Sequence, residues 1–391
     1  MKRRLTGYTI VIPLHLSLGY PSDYVDQTAL ILAKNNVVIF FDFIHPSLWR
    51  QTINEIKRVI KQFVQLLRAE VGSKICFRPF SVFPTRNIPF IFKINRFLGL
   101  VQFRLFLWLK KKPVIIWGFD PIIENVIGKL GEKLRVYDCI DCLGEDEETK
   151  NLKELEKKLF KKIDIVAFNS SVLFQEKLSK NNQIKNKAVV TVCGCAYNLF
   201  QTKDNHTIPD DLKNLKGNLV ILAGVFDYRL DVNLLNYVID KNPKLTFIFI
   251  GPFLKDVDKD FFALLNKNNV FYLGKKKKEQ LSYYYKNSNL GIIPYKTSLN
   301  FVKYSNPMKA YEYLASGIPV LSTEIEALKK YPKDIVYTTD NYGDFNRNLK
   351  SMLKNWTIQK KMIAQKIAKK NSWENKVAKI EEFIILKIFP L

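Results

Sequence analysis

Short apolar runs alternate with amphipathic segments along the whole chain, the pattern of parallel sheets covered by helices. In the first half, residues 8–12, 37–41, 114–117, 134–137 and 165–169 predict strands. A helix is expected over 149–162, because Leu152, Leu155, Leu159 and, just beyond, Ile163 recur at helical spacing. The segment 204–216 is polar, holds Pro209 and reads as a linker. The alternation then restarts. "NLVILAGVFD", "LTFIFIGP", "NVFYLGK", "NLGIIPY" and "IPVLST" predict strands, and "LDVNLLNYVIDKNP" a helix between the first two. The stretch from Trp356 onward is rich in Lys and mostly helical.

This pattern predicts an α/β chain with two doubly wound, Rossmann-like domains. We place them at 1–200 and 217–360, joined by a linker over 201–216 and followed by a helical segment over 361–391. Two such domains side by side are expected to face one another across a cleft at the carboxyl ends of their sheets, where ligands bind. The last helix needs an apolar surface and is able to cross back to the first domain.

Composition narrows the class. The 391 residues are 47% hydrophobic, enough for ordinary cores. The longest uncharged apolar run, near 217–226, is far short of the roughly 18 residues of a membrane span. "MKRRLTGYTIVIPLHLSLGYP" reads as a first buried strand, not a signal peptide, so a cytoplasmic chain is expected. The net charge is +25, from 62 basic and 37 acidic residues. Nucleic acid, an anionic membrane or a phosphate-bearing substrate would each suit that charge, but no nucleic-acid module is recognisable. Five Cys, at 76, 139, 142, 193 and 195, do not make a disulfide framework. They invite a zinc reading that no second C-x-x-C supports.

Two stretches carry candidate chemistry. Residues 86–112 mix Phe90, Phe97, Leu105 and Trp108 with Lys93, Arg96, Arg104 and Lys110–Lys112. Such a segment either lies in an anionic membrane interface or is a core helix with a solvated basic edge. "SNPMKAYEYLASGIPV" (305–320) predicts a helix punctuated at both ends. Ser305 or Asn306 suits the N-cap and Pro307 the first helical position. Met308, Tyr311 and Ala315 make a core face, and Gly317 with Pro319 stops the helix. The other side carries Lys309, Glu312, Tyr313 and Ser316. A helix N-terminus attracts anions, and Lys309 in the first turn is a cation where the macrodipole disfavours one. A bound anion removes the conflict. The alternative is an exposed Lys309–Glu312 pair.

Several stretches, in order, resemble the family 4 glycosyltransferases, which have the GT-B fold and include enzymes that build polysaccharides of the teichuronic-acid type. They are "YDCIDCLGE", "DIVAFNSSVLFQEKL", "VCGCAYNLF", "LAGVFDYRLDVNLL", "TFIFIGP", "NVFYLGKKKKEQLSYYYKNSNLGIIPY", "NPMKAYEYLASGIPVLST" and "NSWENKVAKIEEFI". Together they span about 136–384. The resemblance implies transfer of a sugar from a nucleotide-diphosphate donor, with the donor on the C-terminal domain and the acceptor on the N-terminal one. Carried over by position, Glu312 binds the donor ribose. Ser305, Asn306, Lys309 and Arg229 face the diphosphate, Gly224 and Gly251 let the backbone approach, and Leu273, Gly274 and Lys275 lie beside the base. Two departures stand out. Tyr304 occupies the place of a second Glu that often contacts the donor sugar, and Cys193 and Ala196 replace an Asn and an Asp.

Bond breaking leaves charge on the departing phosphate, so these cations should favour the transition state. No DxD-type segment is placed to hold a metal, so transfer is expected to need neither metal nor cofactor. An inverting reaction would need a base: Asp141 first, then Asp138, Asp120 or His15. Asp138 and Asp141 could instead brace their loop. A retaining reaction, which the resemblance implies, needs no strong base. Ser17 and Gly19, in the loop after the first strand, could meet the acceptor together with Asp120. The leading expectation is a hexosyltransferase-type enzyme extending a saccharide or lipid-linked acceptor, peripheral on the inner face of the plasma membrane. The alternatives are a nucleotide-sugar epimerase of the same fold and a non-catalytic nucleotide-sugar-binding subunit.

Overall fold

The computed structural model describes residues 4–14, 23–43, 52–79, 83, 88–143, 147–201 and 207–388. The chain divides into two compact units. The first holds Met1–Asn169, Phe174–Thr191 and Lys376–Leu391; the second holds Ser170–Leu173 and Val192–Asn375.

The first unit is built on a seven-stranded parallel sheet. Its strands are β1 (Thr9–Leu14), β2 (Val37–Asp42), β3 (Lys74–Phe77), β4 (Val114–Gly118), β5 (Leu134–Cys139), β6 (Ile165–Phe168) and β7 (Ala188–Val190), in the order β3-β2-β1-β4-β5-β6-β7. Its helices are α1 (Asp23–Ala33), α2 (Thr52–Arg68), α3 (Pro89–Lys110), α4 (Glu147–Lys162) and, from Phe174 on, α5 (Ser171–Lys180). Strands β2 and β4 are buried at every position, as expected where helices cover both faces of a parallel sheet. Strand β3 lies at the edge and exposes alternate residues, and β7 has only three residues.

The second unit has a six-stranded parallel sheet in the order β10-β9-β8-β11-β12-β13. The strands are β8 (Leu219–Ala223), β9 (Thr246–Ile250), β10 (Val270–Tyr272), β11 (Leu290–Ile293), β12 (Val320–Ser322) and β13 (Val336–Thr338). Helices α6 (Tyr197–Phe200), α7 (Val232–Asp240), α8 (Asp260–Leu264), α9 (Lys278–Lys286), α10 (Asn300–Lys303), α11 (Met308–Ser316), α12 (Tyr342–Lys354) and α13 (Ile358–Lys370) surround it. A final helix, α14 (Trp373–Ile388), starts in the second unit and continues in the first from Lys376 on.

Lys376 gives α14 its anchor in the first unit. Its Nζ lies 2.5 Å from Asp138 Oδ2, and both side chains are fully buried. The same ammonium lies 5.0 Å from the centre of the Tyr24 ring. Burial pushes the Asp138 carboxyl above its usual range, and Lys376 pulls against that shift. Asp138, a sequence candidate for catalysis, is fully buried against α14.

In the second unit, strand order reverses between β8 and β11. The crevice beyond the carboxyl ends of two such strands is where open α/β sheets bind ligands. Residues just past both strands are stitched together there. Leu230 bridges Tyr295, the Lys296 N–H donates to the Arg229 carbonyl at 2.8 Å, and the Asp231 N–H donates to Pro294 at 2.9 Å. Helix α11 packs beneath this point. The Tyr313 hydroxyl accepts from the Ala223 N–H at 2.9 Å. A Cβ at residue 291 would lie 2.2 Å from the Tyr313 ring, so Gly291 makes room for it.

Candidate functional site

The helix expected over 305–317 forms as α11, but its start differs. Pro307, with φ −70° and ψ 120°, is the N-cap, and no side chain caps the first turn. Ser305 Oγ donates to the Val302 carbonyl at 2.7 Å, and Asn306 Oδ1 accepts from the Tyr311 hydroxyl at 2.7 Å. Both expected caps are thus turned away from the helix N-terminus. Gly317 ends the helix in the left-handed conformation, φ 85°. The face opposite the core is also more enclosed than the spacing predicts, since Tyr313 and Ser316 are buried with the rest.

Lys309 and Glu312 do not pair with each other. The Lys309 ammonium donates to the Tyr295 hydroxyl and lies 4.8 Å from the centre of that ring. Arg229 approaches the same ring, its Cζ 5.5 Å from the centre, and lies 5.8 Å from the Phe301 ring. Asp227, buried at the end of the loop after β8, holds the guanidinium in place. Arg229 Nε donates to its two oxygens at 2.8 and 2.9 Å, and Nη2 joins them. Burial works against the Arg229 charge, yet Asp227 outweighs it and holds the guanidinium deeper in its protonated range. Two cations therefore share one aromatic ring, each fixed from a different element.

The backbone under them is glycine. Gly224 follows β8 with φ 132°, and Gly251 follows β9 with φ 149°. A Cβ at 251 would fall 1.6 Å from the Gly224 carbonyl oxygen, and one at 224 would meet Lys309 Nζ at 2.6 Å. No other residue type fits this close approach at these dihedrals. The Gly251 N–H donates to the Gly274 carbonyl at 3.0 Å, so the turns after three strands form one shelf.

Glu312 sits one turn further into α11 and is 8% exposed. Its Oε1 lies 3.7 Å from Lys278 Nζ, and its Oε2 lies 3.5 Å from the buried Tyr285 hydroxyl. Both distances are at the long end for such contacts. Tyr304 closes α10, with Lys303 Nζ 5.7 Å from its ring centre.

Of the residues read from the sequence, Gly224, Arg229, Gly251, Gly274 and Lys309 are brought together at this point. Ser305, Asn306 and Glu312 belong to the same helix and its approach. Lys275 is exposed beside Gly274. Asp120 and Asp141 belong to the first unit. Asp120 is exposed just past β4, where that sheet also reverses order, and its side chain accepts from the Ile122 N–H. Asp141 is half-buried past β5. His15, Ser17 and Gly19 lie outside the described residues. Tyr295 and Asp227 were not singled out in the sequence. The only local signal was the i, i+2 spacing of Asp227 and Arg229.

Burial pushes the Cys139 and Cys195 thiols well above the usual range. Cys193 Sγ donates to the Asn306 carbonyl at 2.9 Å. Among the described residues, no group of three or more His, Cys, Asp or Glu side chains could hold a metal ion.

Residues 204–370 match the family described as "Glycosyl transferases group 1". The chain is 27% identical over 214 residues to TuaH, a Bacillus subtilis (strain 168) protein named as a teichuronic acid biosynthesis glycosyltransferase. That match covers 52% of this chain and 53% of the relative, so the chain matches about half the relative's length. Among solved structures, sucrose-phosphate synthase from Thermosynechococcus elongatus is similar with a TM-score of 0.69 at 16% identity, covering 98% of this chain and 99% of that one. Anabaena HepE in complex with UDP is similar with a TM-score of 0.63 at 15% identity, covering 98% and 100%. The chain therefore has the GT-B fold, and its residues 204–370 match the glycosyl transferases group 1 family.

Proposed function

We propose that this chain is a glycosyltransferase that moves a sugar from a nucleoside diphosphate to a saccharide or lipid-linked acceptor in cell-surface polysaccharide assembly. One observation carries the reading. Arg229 and Lys309 converge on Tyr295 beside the uncapped start of α11, over a glycine shelf at the switch point of the second sheet. Two cations on one ring at a helix N-terminus repel one another, and a diphosphate bound between them turns that repulsion into attraction. The comparisons support the same reading through the family of residues 204–370 and through a relative named for polymer biosynthesis.

In this account the diphosphate lies against Arg229, Lys309 and the first-turn N–H groups of α11. Glu312 accepts from the ribose hydroxyls, and the 273–275 turn borders the base. The bond between the anomeric carbon and the β-phosphate oxygen breaks, and the electron pair leaves with the nucleoside diphosphate. An acceptor hydroxyl forms the new bond to the anomeric carbon. Its proton passes to the departing phosphate, so retention needs no protein base. The cations stabilise the leaving charge more than the ground state, and the reaction is proposed to run without a metal. Asp141 and Asp120 remain the acceptor-side carboxylates of this reading. Work at the inner face of the plasma membrane suits a lipid-linked acceptor and the basic, apolar stretch 86–112.

Incubation with a panel of nucleotide sugars tests the reading. A transferase releases nucleoside diphosphate slowly from its donor without acceptor and faster with one. Interconversion of the sugar without release would make the chain an epimerase. Tight binding with no turnover under any acceptor would make it a binding subunit.

A further inference from the structure

Of the 22 exposed large apolar side chains among the described residues, 12 lie between Ile60 and Leu109. That concentration falls on α2, α3 and their connection, in the first unit. One face of α3 is core, with Leu100, Phe103, Phe106 and Leu107 buried. The opposite face exposes large apolar side chains between cations. Phe90 and Trp108 are each 70% exposed and Phe97 64%, with Val101 and Leu105 between them. Residues 90, 97, 101 and 108 fall on one helical stripe, and the exposed Lys93 and Arg104 share it.

The helix is held firmly from behind. A Cβ at residue 99 would press on Pro79 at 2.9 Å, and Phe106 meets Phe63 of α2 at 4.3 Å between ring centres. Lys110 donates to the Leu67 and Ala69 carbonyls at the end of α2. On α2, Ile60, Val64 and Leu67 are exposed at i, i+4 and i+7, which extends the apolar surface beside α3. The charge on these helices has one sign. Helix α3 has four Lys or Arg and no Asp or Glu; α2 has four Lys or Arg and one Glu. Lys111 and Lys112 follow directly.

We propose that the outer faces of α2 and α3 form a docking platform for an anionic lipid surface, with Phe90, Phe97 and Trp108 entering the headgroup region. Exposed apolar side chains gathered on one face mark an interaction site. Exposed aromatics interleaved with cations are what an anionic interface takes. A second copy fits less well, because self-pairing would set one all-basic helix against another. Among the described residues no helix is long and apolar enough to cross a membrane, so α3 lies on the surface. The platform deepens the reading of the chain as a transferase with a lipid-linked acceptor, but its existence does not depend on the donor site.

Co-sedimentation of the full chain with phosphatidylcholine vesicles, with and without phosphatidylglycerol, tests the proposal. The protein should pellet with the anionic vesicles, less so at high salt, and shift Trp fluorescence to the blue. Each cation near the surface is worth about fivefold in partitioning, so a Lys93→Glu, Arg104→Glu, Lys111→Glu variant, which also adds three repelled charges, should lose at least about 100-fold. Phe97→Ser with Trp108→Ser should also release the protein, with an unchanged melting temperature because both sites are exposed. Equal pelleting with neutral vesicles, or wild-type pelleting of the charge-reversed variant, overturns the proposal. So does a soluble dimer that the Phe97→Ser, Trp108→Ser change dissociates. Nucleoside diphosphate binding, measured on the same preparations, separates failure of this platform from failure of the donor site.

Discussion

At the scale of residues, Arg229 and Lys309 meet on the Tyr295 ring with different supports. Arg229 is oriented by the buried Asp227, whereas Lys309 rides on the first turn of α11. A charge-assisted hydrogen bond to a diphosphate is worth about 1.5–3 kcal/mol, so Arg229→Ala should weaken nucleoside diphosphate binding by roughly 10- to 100-fold. Asp227→Asn should lose part of that affinity while keeping the cation, since the guanidinium would no longer be held flat. Calorimetric titration measures both. Gly251→Ala is the steric counterpart. Its Cβ would start 1.6 Å from the Gly224 oxygen, so we expect a loss of about 2 kcal/mol or more in stability by urea unfolding, and no detectable nucleotide binding.

At the scale of elements, α11 is positioned from behind by a chain of polar contacts within the second unit. The Asn371 amide donates to the Tyr331 hydroxyl at 3.2 Å, Tyr331 meets Tyr311 at 3.2 Å, and Tyr311 donates to Asn306. Cys193 holds the Asn306 carbonyl. Tyr311→Phe removes the middle of this chain. It should cost about 1 kcal/mol of stability and raise the Kd for the nucleoside diphosphate several-fold, because the turn before α11 loosens. A lower melting temperature with an unchanged Kd would show that the turn does not need this support. The helix itself was legible in the sequence from its apolar spacing, Gly317 and Pro319. Its cap was not, because the side chain of Asn306 is claimed by Tyr311. Tyr295 escaped notice because its role arises from contacts with Arg229 and Lys309, far away in the chain. Strands β3, β7 and β13 were not predicted; each is only three or four residues long, and β3 is partly exposed.

At the scale of the molecule, the two sheets could be read from apolar runs of four to six residues, since strands covered on both faces need little but apolar side chains. That the last helix can cross back to the first domain was legible too; its anchor there was not. Lys376 looks like one more residue in a Lys-rich helix until it is found against Asp138, 238 positions earlier. Breaking such a pair leaves a buried charge uncompensated and costs about 3–5 kcal/mol. Lys376→Met should therefore destabilise the first unit by that amount in urea unfolding, and adding Asp138→Asn should restore much of the loss. A chain ending at Asn375 should be destabilised similarly. Nucleotide binding by the second unit should survive the Lys376→Met change wherever the protein remains folded.

The most direct test of the central claim is isothermal titration of the intact protein with uridine, guanosine, adenosine, cytidine and thymidine diphosphates, repeated on Lys309→Met and Glu312→Ala. The account predicts one-to-one binding of at least one of them. Lys309→Met should weaken the diphosphate at least tenfold, and Glu312→Ala should weaken it comparably through the ribose. Binding of none of the five, or wild-type affinity in both variants, would contradict it.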